Sequence, residues 1–141
     1  MKKITIVYWS GTGNTEMMAK AISEGAQDAG AEVKLLSVDK ATVADIENAD
    51  GIALGCPSMG IEVLEESEME PFIESIENAV TGKPTVLFGS YDWGNGEWMD
   101  DWAKRMENYG ADLVNEGLIV QLEPTEASLK SCKELGVKLA G

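Results

Sequence analysis

The sequence predicts an α/β fold, a parallel sheet covered by helices on both faces. Three observations predict it. Short strand-like apolar runs alternate with helix-like stretches along the whole chain. The loops after the first and fourth runs are rich in glycine and hydroxyl residues. No repeat, linker or low-complexity tract interrupts the alternation, so 1–141 reads as a single domain. A chain of this length buries roughly two thirds of its unfolded surface, which gives it one real core.

In chain order, Ile4 to Tyr8 is a buried strand. Thr15 to Ala29 carries Met18, Ile22 and Ala26 at helical spacing and stops at Gly30, a C-cap residue. Val33 to Val38 is a second strand, Val43 to Ala49 a short crossover helix, and Gly51 to Gly55 a third strand. Met69, Phe72, Ile73, Ile76 and Val80 mark one helix face, and Pro84 to Gly89 a fourth strand. Trp98, Trp102, Met106 and Tyr109 share the face of another helix, where both tryptophans serve packing. Ala111 to Val114 and Leu118 to Val120 form a fifth strand with an interruption, and Leu129, Cys132, Leu135 and Leu139 mark a last helix.

Composition excludes several function classes. With 11 basic and 25 acidic residues the formal charge is −14, and such a chain repels nucleic acid. The acidity either serves solubility or steers a basic partner at long range. No histidine is present, which removes Ser-His and Cys-His catalysis and the commonest metal ligand. Cys56 and Cys132 lie in no metal-type or redox-type spacing and read as small core residues. No segment is apolar enough to span a membrane, and the N-terminus runs into a strand without a signal-peptide pattern, so the cytoplasm is expected.

In such a sheet the loops at the carboxyl ends of the strands build the ligand site. After strand one comes Ser10-Gly11-Thr12-Gly13-Asn14-Thr15, after strand three "CPSMGIEVLEESEMEPF" from Cys56, and after strand four "SYDWGNGEW" from Ser90. Glycines let backbone N–H groups approach an anion, and the following helix aims its positive end at the same point. The hydroxyls of Ser10, Thr12 and Thr15 and the amide of Asn14 add donors. The loop is neither a Walker loop, which needs Gly-Lys-Ser/Thr, nor a dinucleotide fingerprint, since Glu16 stands where a third glycine belongs. A single terminal phosphate therefore fits better than a pyrophosphate. Trp93, between Asp92 and Gly94, suits stacking on a planar ligand, and Met59 offers a thioether to a ring face. Trp9, ending a strand, reads as a packing residue.

Together, "SGTGNT", "GCPSMGIEVLEESEMEPF" and "LFGSYDWGNGEWMDDW" resemble the flavodoxins, of the short-chain type found in anaerobic bacteria. The resemblance covers essentially the full length. It implies a three-layer α/β/α sandwich with a five-stranded parallel sheet in the order 2-1-3-4-5, and a non-enzymatic, low-potential one-electron carrier with non-covalent FMN. It also implies a binding set. Ser10, Gly11, Thr12, Gly13, Asn14 and Thr15, with Ser90, surround the phosphate. Met59 and Trp93 cover the two ring faces, within Pro57, Ser58, Met59, Gly60, Ile61 and Glu62 on one side and Tyr91, Asp92, Trp93 and Gly94 on the other. The Gly60–Ile61 peptide matches the unit that turns with redox state and accepts a hydrogen bond from flavin N5–H, and Glu62 the carboxylate that pairs with N3–H.

The half-reduced ring gains a donor at N5 that the oxidised ring lacks. A hydrogen bond worth roughly 1 kcal/mol shifts a one-electron potential by about 40–45 mV. Full reduction creates an anion near a phosphate in a chain of net −14, so the second electron enters only at low potential. Two residues depart from the family pattern: Ile61, often small or polar, and Asp92, commonly glycine. A type II turn across Met59 to Glu62 requires positive φ at Ile61, which a β-branched residue resists. Ile61→Gly is then expected to widen the gap between the two potentials, and an unchanged or narrower gap counts against that turn. Asp92 adds negative charge beside Trp93 and either lowers the potentials or is a solvated turn residue.

The acidic run Glu65, Glu66, Glu68 and Glu70 reads as a solvated helix start, as a docking surface for basic redox partners, or as both. An FMN-dependent reductase acting on a nicotinamide is the alternative function, but no basic cluster accompanies the loops. A receiver domain needs acidic residues after strand one and a lysine after strand five, where this chain has "YWSGT" and "VQLEP". The expected state is a monomer that meets basic-surfaced redox proteins transiently.

Overall fold

In β1 (Lys3–Tyr8) Ile4, Ile6 and Val7 have lost nearly all contact with solvent, as a strand covered on both faces requires. The computed structural model describes residues 2–59 and 63–141. β1 pairs in parallel with β2 (Glu32–Ser37) on one side and with β3 (Gly51–Gly55) on the other. β4 (Pro84–Tyr91) continues the sheet from β3. Its outer edge carries two short pieces, β5 (Asp112–Leu113) and β6 (Leu118–Gln121). The order is β2-β1-β3-β4-β5, with β6 also on β4, so the expected 2-1-3-4-5 topology holds and the fifth strand is split. Between its halves the Asn115 side-chain amide accepts from Leu87 N–H and donates to Leu87 C=O, both at 3.1 Å. A side chain thus replaces one peptide unit of the ladder.

Helices α1 (Asn14–Asp28) and α5 (Glu126–Ala140) cover one face, and α2 (Val43–Glu47), α3 (Met69–Ser75) and α4 (Glu97–Asn108) the other. Alternate strand residues divide accordingly: Ile4, Ile6, Ala53, Val86 and Phe88 pack under α1 and α5, while Val7, Ile52, Leu54 and Leu87 pack under α3 and α4. α1 and α5 meet backbone to backbone because a Cβ at Gly25 would strike the Lys133 carbonyl and one at Gly136 the Ile22 carbonyl. Trp98 and Trp102 are 2% and 1% exposed, core residues as the helical spacing predicted. Cys56 and Cys132 are buried free thiols in opposite layers, and burial pushes each up to about 12.

Several boundaries differ from the sequence reading by a residue or two, with β2 ending at Ser37 rather than Val38 and α2 at Glu47 rather than Ala49, and two differences reach the core and the site. The helix marked by Met69 to Val80 ends at Ser75. Its remainder unwinds into turns (Ala79 N–H to Ile76 C=O, Val80 N–H to Ile76 C=O) that still bury Ile76 and Val80. β4 extends to Tyr91, so Ser90 and Tyr91 are strand residues, since pairing with β6 carries the ladder two residues further.

Candidate functional site

Three loops meet at the carboxyl end of the sheet. The first leaves β1, crosses 9–13 and enters α1 through Gly13, whose φ of +97° is one that glycine adopts freely. Ser10 shapes this loop from inside: its Oγ accepts from Gly13 N–H at 3.1 Å and Glu16 N–H at 3.3 Å. The Ser10 hydroxyl hydrogen, like the N–H groups of Thr12, Asn14 and Thr15, has no acceptor among the described residues. α1 has no side-chain cap, so its dipole and its unmatched donors converge on one point. Thr15 and Ser90, both buried, share a hydroxyl contact at 3.0 Å, and Ser90 N–H donates to Thr15 Oγ1 at 3.3 Å. The phosphate-type loop and the end of β4 are thereby tied together.

The second loop leaves β3 at Cys56. Cys56 N–H donates to Phe88 C=O and Ser58 N–H to Ser90 C=O, which prolongs the sheet pairing to the site. Trp98 Nε1 donates to Cys56 C=O, and a Cβ at Gly89 would strike that same carbonyl. Met59 and Val63 then exchange both backbone hydrogen bonds, at 2.9 and 3.0 Å. Gly60, Ile61 and Glu62 lie outside the described residues, between the two ends of that bridge.

Beyond Val63 the acidic run is not the uniformly solvated face that the sequence suggested as one reading. Glu65 is 7% exposed, and its carboxylate accepts from the N–H groups of Ser67 (2.9 Å), Glu68 (2.7 Å) and Met69 (3.0 Å). Burial alone would raise its pKa, but these bonds outweigh it and hold the carboxyl below its ordinary value. Glu70 forms a two-pronged pair with Arg105, which also donates to Tyr109 Oη, joining α3 to α4. The Arg105 guanidinium, against the cost of partial burial, holds the Glu70 carboxyl below its usual value. Glu66 alone of the four is simply exposed, since Glu68 accepts from Trp9 Nε1 at 3.3 Å.

The third loop follows β4. Tyr91 packs on Trp98 at 5.6 Å between ring centroids, Asp92 is exposed, and Trp93 is 61% exposed. Gly94 completes the exposed turn. A cleft of about 170 Å³ joins all three loops and is lined by Trp9, Gly11, Thr12, Pro57, Ser58, Met59, Ser90, Tyr91 and Asp92. Eight of these nine were named from the sequence; the ninth, Trp9, was read as packing. It does pack, since a Cβ on Gly11 would sit 3.1 Å from its indole, yet that packing makes it the floor of the loop and a wall of the cleft. The available signal was its position, one residue after the strand and two before a glycine. Among the described residues no cluster could hold a metal ion, and no helix is long and apolar enough to cross a membrane.

The donors suit a phosphate held without a cation, and the slot between Met59 and the Tyr91–Trp93 turn suits a planar ring. Comparison with known proteins identifies the family. The family model described as flavodoxin matches residues 6–136. The chain is 51% identical to a flavodoxin from Clostridium beijerinckii over 135 residues, covering 96% of this chain and 97% of that one. It is 46% identical to a flavodoxin from Megasphaera elsdenii, covering 94% and 95%. The solution structure of two-electron reduced Megasphaera elsdenii flavodoxin superposes with a TM-score of 0.89 at 45% identity, over 97% of this chain and 98% of that one. A flavodoxin from the domain Archaea gives 0.89 at 29% identity, over 98% and 96%. Donor-rich turn, aromatic rim, strand order and sequence all agree: the chain belongs to the flavodoxin family.

Proposed function

We propose that the three loops hold FMN with its phosphate at the α1 N-terminus and its ring system between Met59 and the Tyr91–Trp93 turn. As a flavodoxin the chain is an FMN-binding electron carrier rather than an enzyme, and it exchanges electrons with redox partner proteins. The bound FMN supplies a ring that accepts and releases electrons one at a time. The observation that carries the placement is the set of acceptor-free donors at α1: the N–H groups of Thr12, Asn14 and Thr15 and the Ser10 hydroxyl. Backbone N–H groups and hydroxyls bind a dianion by charge-assisted hydrogen bonds without a neutralising lysine, so its full charge stays in the site.

The chain's own residues then set the direction of the potentials. Thr15 and Ser90 fix the phosphate end relative to β4. Trp93, exposed on its turn and outside the lining of the cleft, covers one ring face in this proposal, and Met59, in the lining, offers a thioether to the other. Gly60, Ile61 and Glu62 complete the polar side of the ring in this proposal, and the residues that flank them in sequence, Met59 and Val63, are paired with each other. With no basic residue in the lining and a net charge of −14, added negative charge at the ring is disfavoured, which gives a low-potential carrier. The partners in this reading are basic-surfaced, and the chain acts as a monomer in the cytoplasm, where two unpaired thiols are at home.

Titrating the FMN-free protein with FMN and with riboflavin, by quenching of flavin fluorescence, tests the placement. FMN is expected to bind roughly a hundredfold more tightly, about 2.7 kcal/mol spread over several charge-assisted bonds. Equal affinities would remove the phosphate from α1. Anaerobic reductive titration of the loaded protein is expected to show two separate one-electron steps.

A further inference from the structure

We propose that Glu68 is a positioning residue for the phosphate loop: its carboxylate orients the Trp9 indole, and the indole supports the loop at Gly11. This rests on the FMN placement above and adds a residue that does not itself line the cleft. Trp9 is half-buried, follows β1 and forms a wall of that cleft. Its two edges touch different parts of the chain. The pyrrole edge donates from Nε1 to Glu68 Oε1 at 3.3 Å, across 59 positions of sequence. The benzene edge lies against Gly11, where an added Cβ would sit 3.1 Å from Cη2 and 3.3 Å from Cζ3.

The two glycines of the loop therefore serve different ends. Gly13 has the positive φ that glycine adopts freely. Gly11 does not; there the indole takes the space that a side chain would need. So close a contact passes a displacement on rather than absorbing it. An indole turned away on its side-chain torsions leaves Gly11 without support. Thr12 is the next residue, and its N–H is one of the donors offered to the phosphate.

Glu68 is placed to do this. Its own N–H donates to Glu65 Oε1 at 2.7 Å, and its C=O accepts from Phe72 N–H at 3.2 Å. Trp9 N–H donates to Gly55 C=O at 3.0 Å, in line with the pairing of β1 and β3. Both backbones are fixed, so the side-chain bond between them selects the orientation of the indole. The acceptor is charged, which strengthens the bond, but it is open to solvent, which keeps the effect modest. As a charge, Glu68 repels a phosphate; as an acceptor, it orders the loop that binds one. The two roles predict opposite results when the side chain is removed.

The test measures binding of FMN and of riboflavin to the FMN-free protein by quenching of flavin fluorescence. Glu68→Ala is expected to bind FMN about threefold more weakly, with riboflavin binding unchanged. Glu68→Gln keeps an oxygen acceptor without the charge and is expected to bind FMN at least as tightly as wild type. In a Trp9→Phe background, which lacks the indole N–H, Glu68→Ala is expected to cause no further weakening. In the FMN-free protein, the indole N–H resonance that Trp9→Phe removes should shift in Glu68→Ala. Unchanged or tighter FMN binding by Glu68→Ala overturns the proposal, and so does an indole resonance that stays in place. An equal loss of FMN and riboflavin binding overturns it by assigning Glu68 to the fold or to the ring. A loss that Gln repeats, or that persists in the Trp9→Phe background, overturns the route through Trp9. In each of these cases a wild type that prefers FMN to riboflavin keeps the phosphate placement; without that preference both readings fall.

Discussion

Two helix N-termini, one on each face of the sheet, solve the same problem in opposite ways. α3 begins under the Glu65 carboxylate, which takes the N–H groups of Ser67, Glu68 and Met69. α1 begins at Gly13 with no side-chain cap, and Thr12, Asn14 and Thr15 direct their N–H groups to no acceptor among the described residues. Both ends present donors and a positive dipole, and both favour an anion. At α3 the chain supplies that anion itself and uses it to hold a loop. At α1 Ser10 stabilises the loop without consuming the donors that a ligand needs. The contrast separates a helix start that the chain closes with its own anion from one whose donors it leaves open.

Removing the internal anion tests one side of this contrast and should have the largest effect. Glu65→Ala leaves three N–H groups without their acceptor, that of Met69 in a buried setting and those of Ser67 and Glu68 in a partly buried one, and about 3 kcal/mol of stability is expected to be lost. Urea unfolding of the FMN-free protein measures it, and a loss below about 1 kcal/mol would mean that water replaces the carboxylate at no great cost. Supplying an internal anion at the other end tests the second side. Thr12→Asp puts a carboxylate among the α1 donors, where it satisfies them and repels a phosphate. FMN affinity is expected to fall about a hundredfold, near 2.7 kcal/mol, with little change in the stability of the FMN-free protein. Loss of stability without loss of affinity would show that the α1 donors do not face the ligand.

The smallest effect concerns acid. Glu65 and Glu70 are both held below the ordinary glutamate value of 4.5 in the folded chain. A carboxyl with a depressed folded pKa contributes stability that is fully present above its unfolded value and is lost as pH falls through the folded one. Stability should therefore be level near neutrality and decline once pH drops below about 4.5. Glu70→Gln is expected to make that decline shallower and to cost about 1 kcal/mol at neutral pH, since the Arg105 pair is only partly buried. Thermal melts at stepped pH values check both, and an equally steep acid limb would exclude Glu70 as a contributor.

The contrast also marks what could be read in advance. The fold was legible because strand and helix periods alternate without exceptions, and the first loop because its hydroxyls and glycines exceed what a turn requires. Glu65 was not legible, because four glutamates in six residues look alike in sequence and only the path of the chain buries one of them. Trp9 was read as packing because a strand-end tryptophan usually packs; its double duty depends on Gly11 lying against its ring. The end of α3 was overestimated because Ile76 and Val80 keep the helical spacing while the backbone has already unwound. Leu122, whose φ is +61°, gave no signal, since left-handed leucine cannot be told from ordinary leucine by its letter.

The split fifth strand has a practical consequence. Because the Asn115 amide closes the ladder against Leu87, the backbone from 115 to 117 is released from pairing without opening the sheet. A flexible segment spliced in after Glu116 would leave every strand register intact, and closing a longer loop there costs little more than closing a short one. That point is a natural graft port for an affinity tag or an electrode tether, provided Asn115 is kept as its latch.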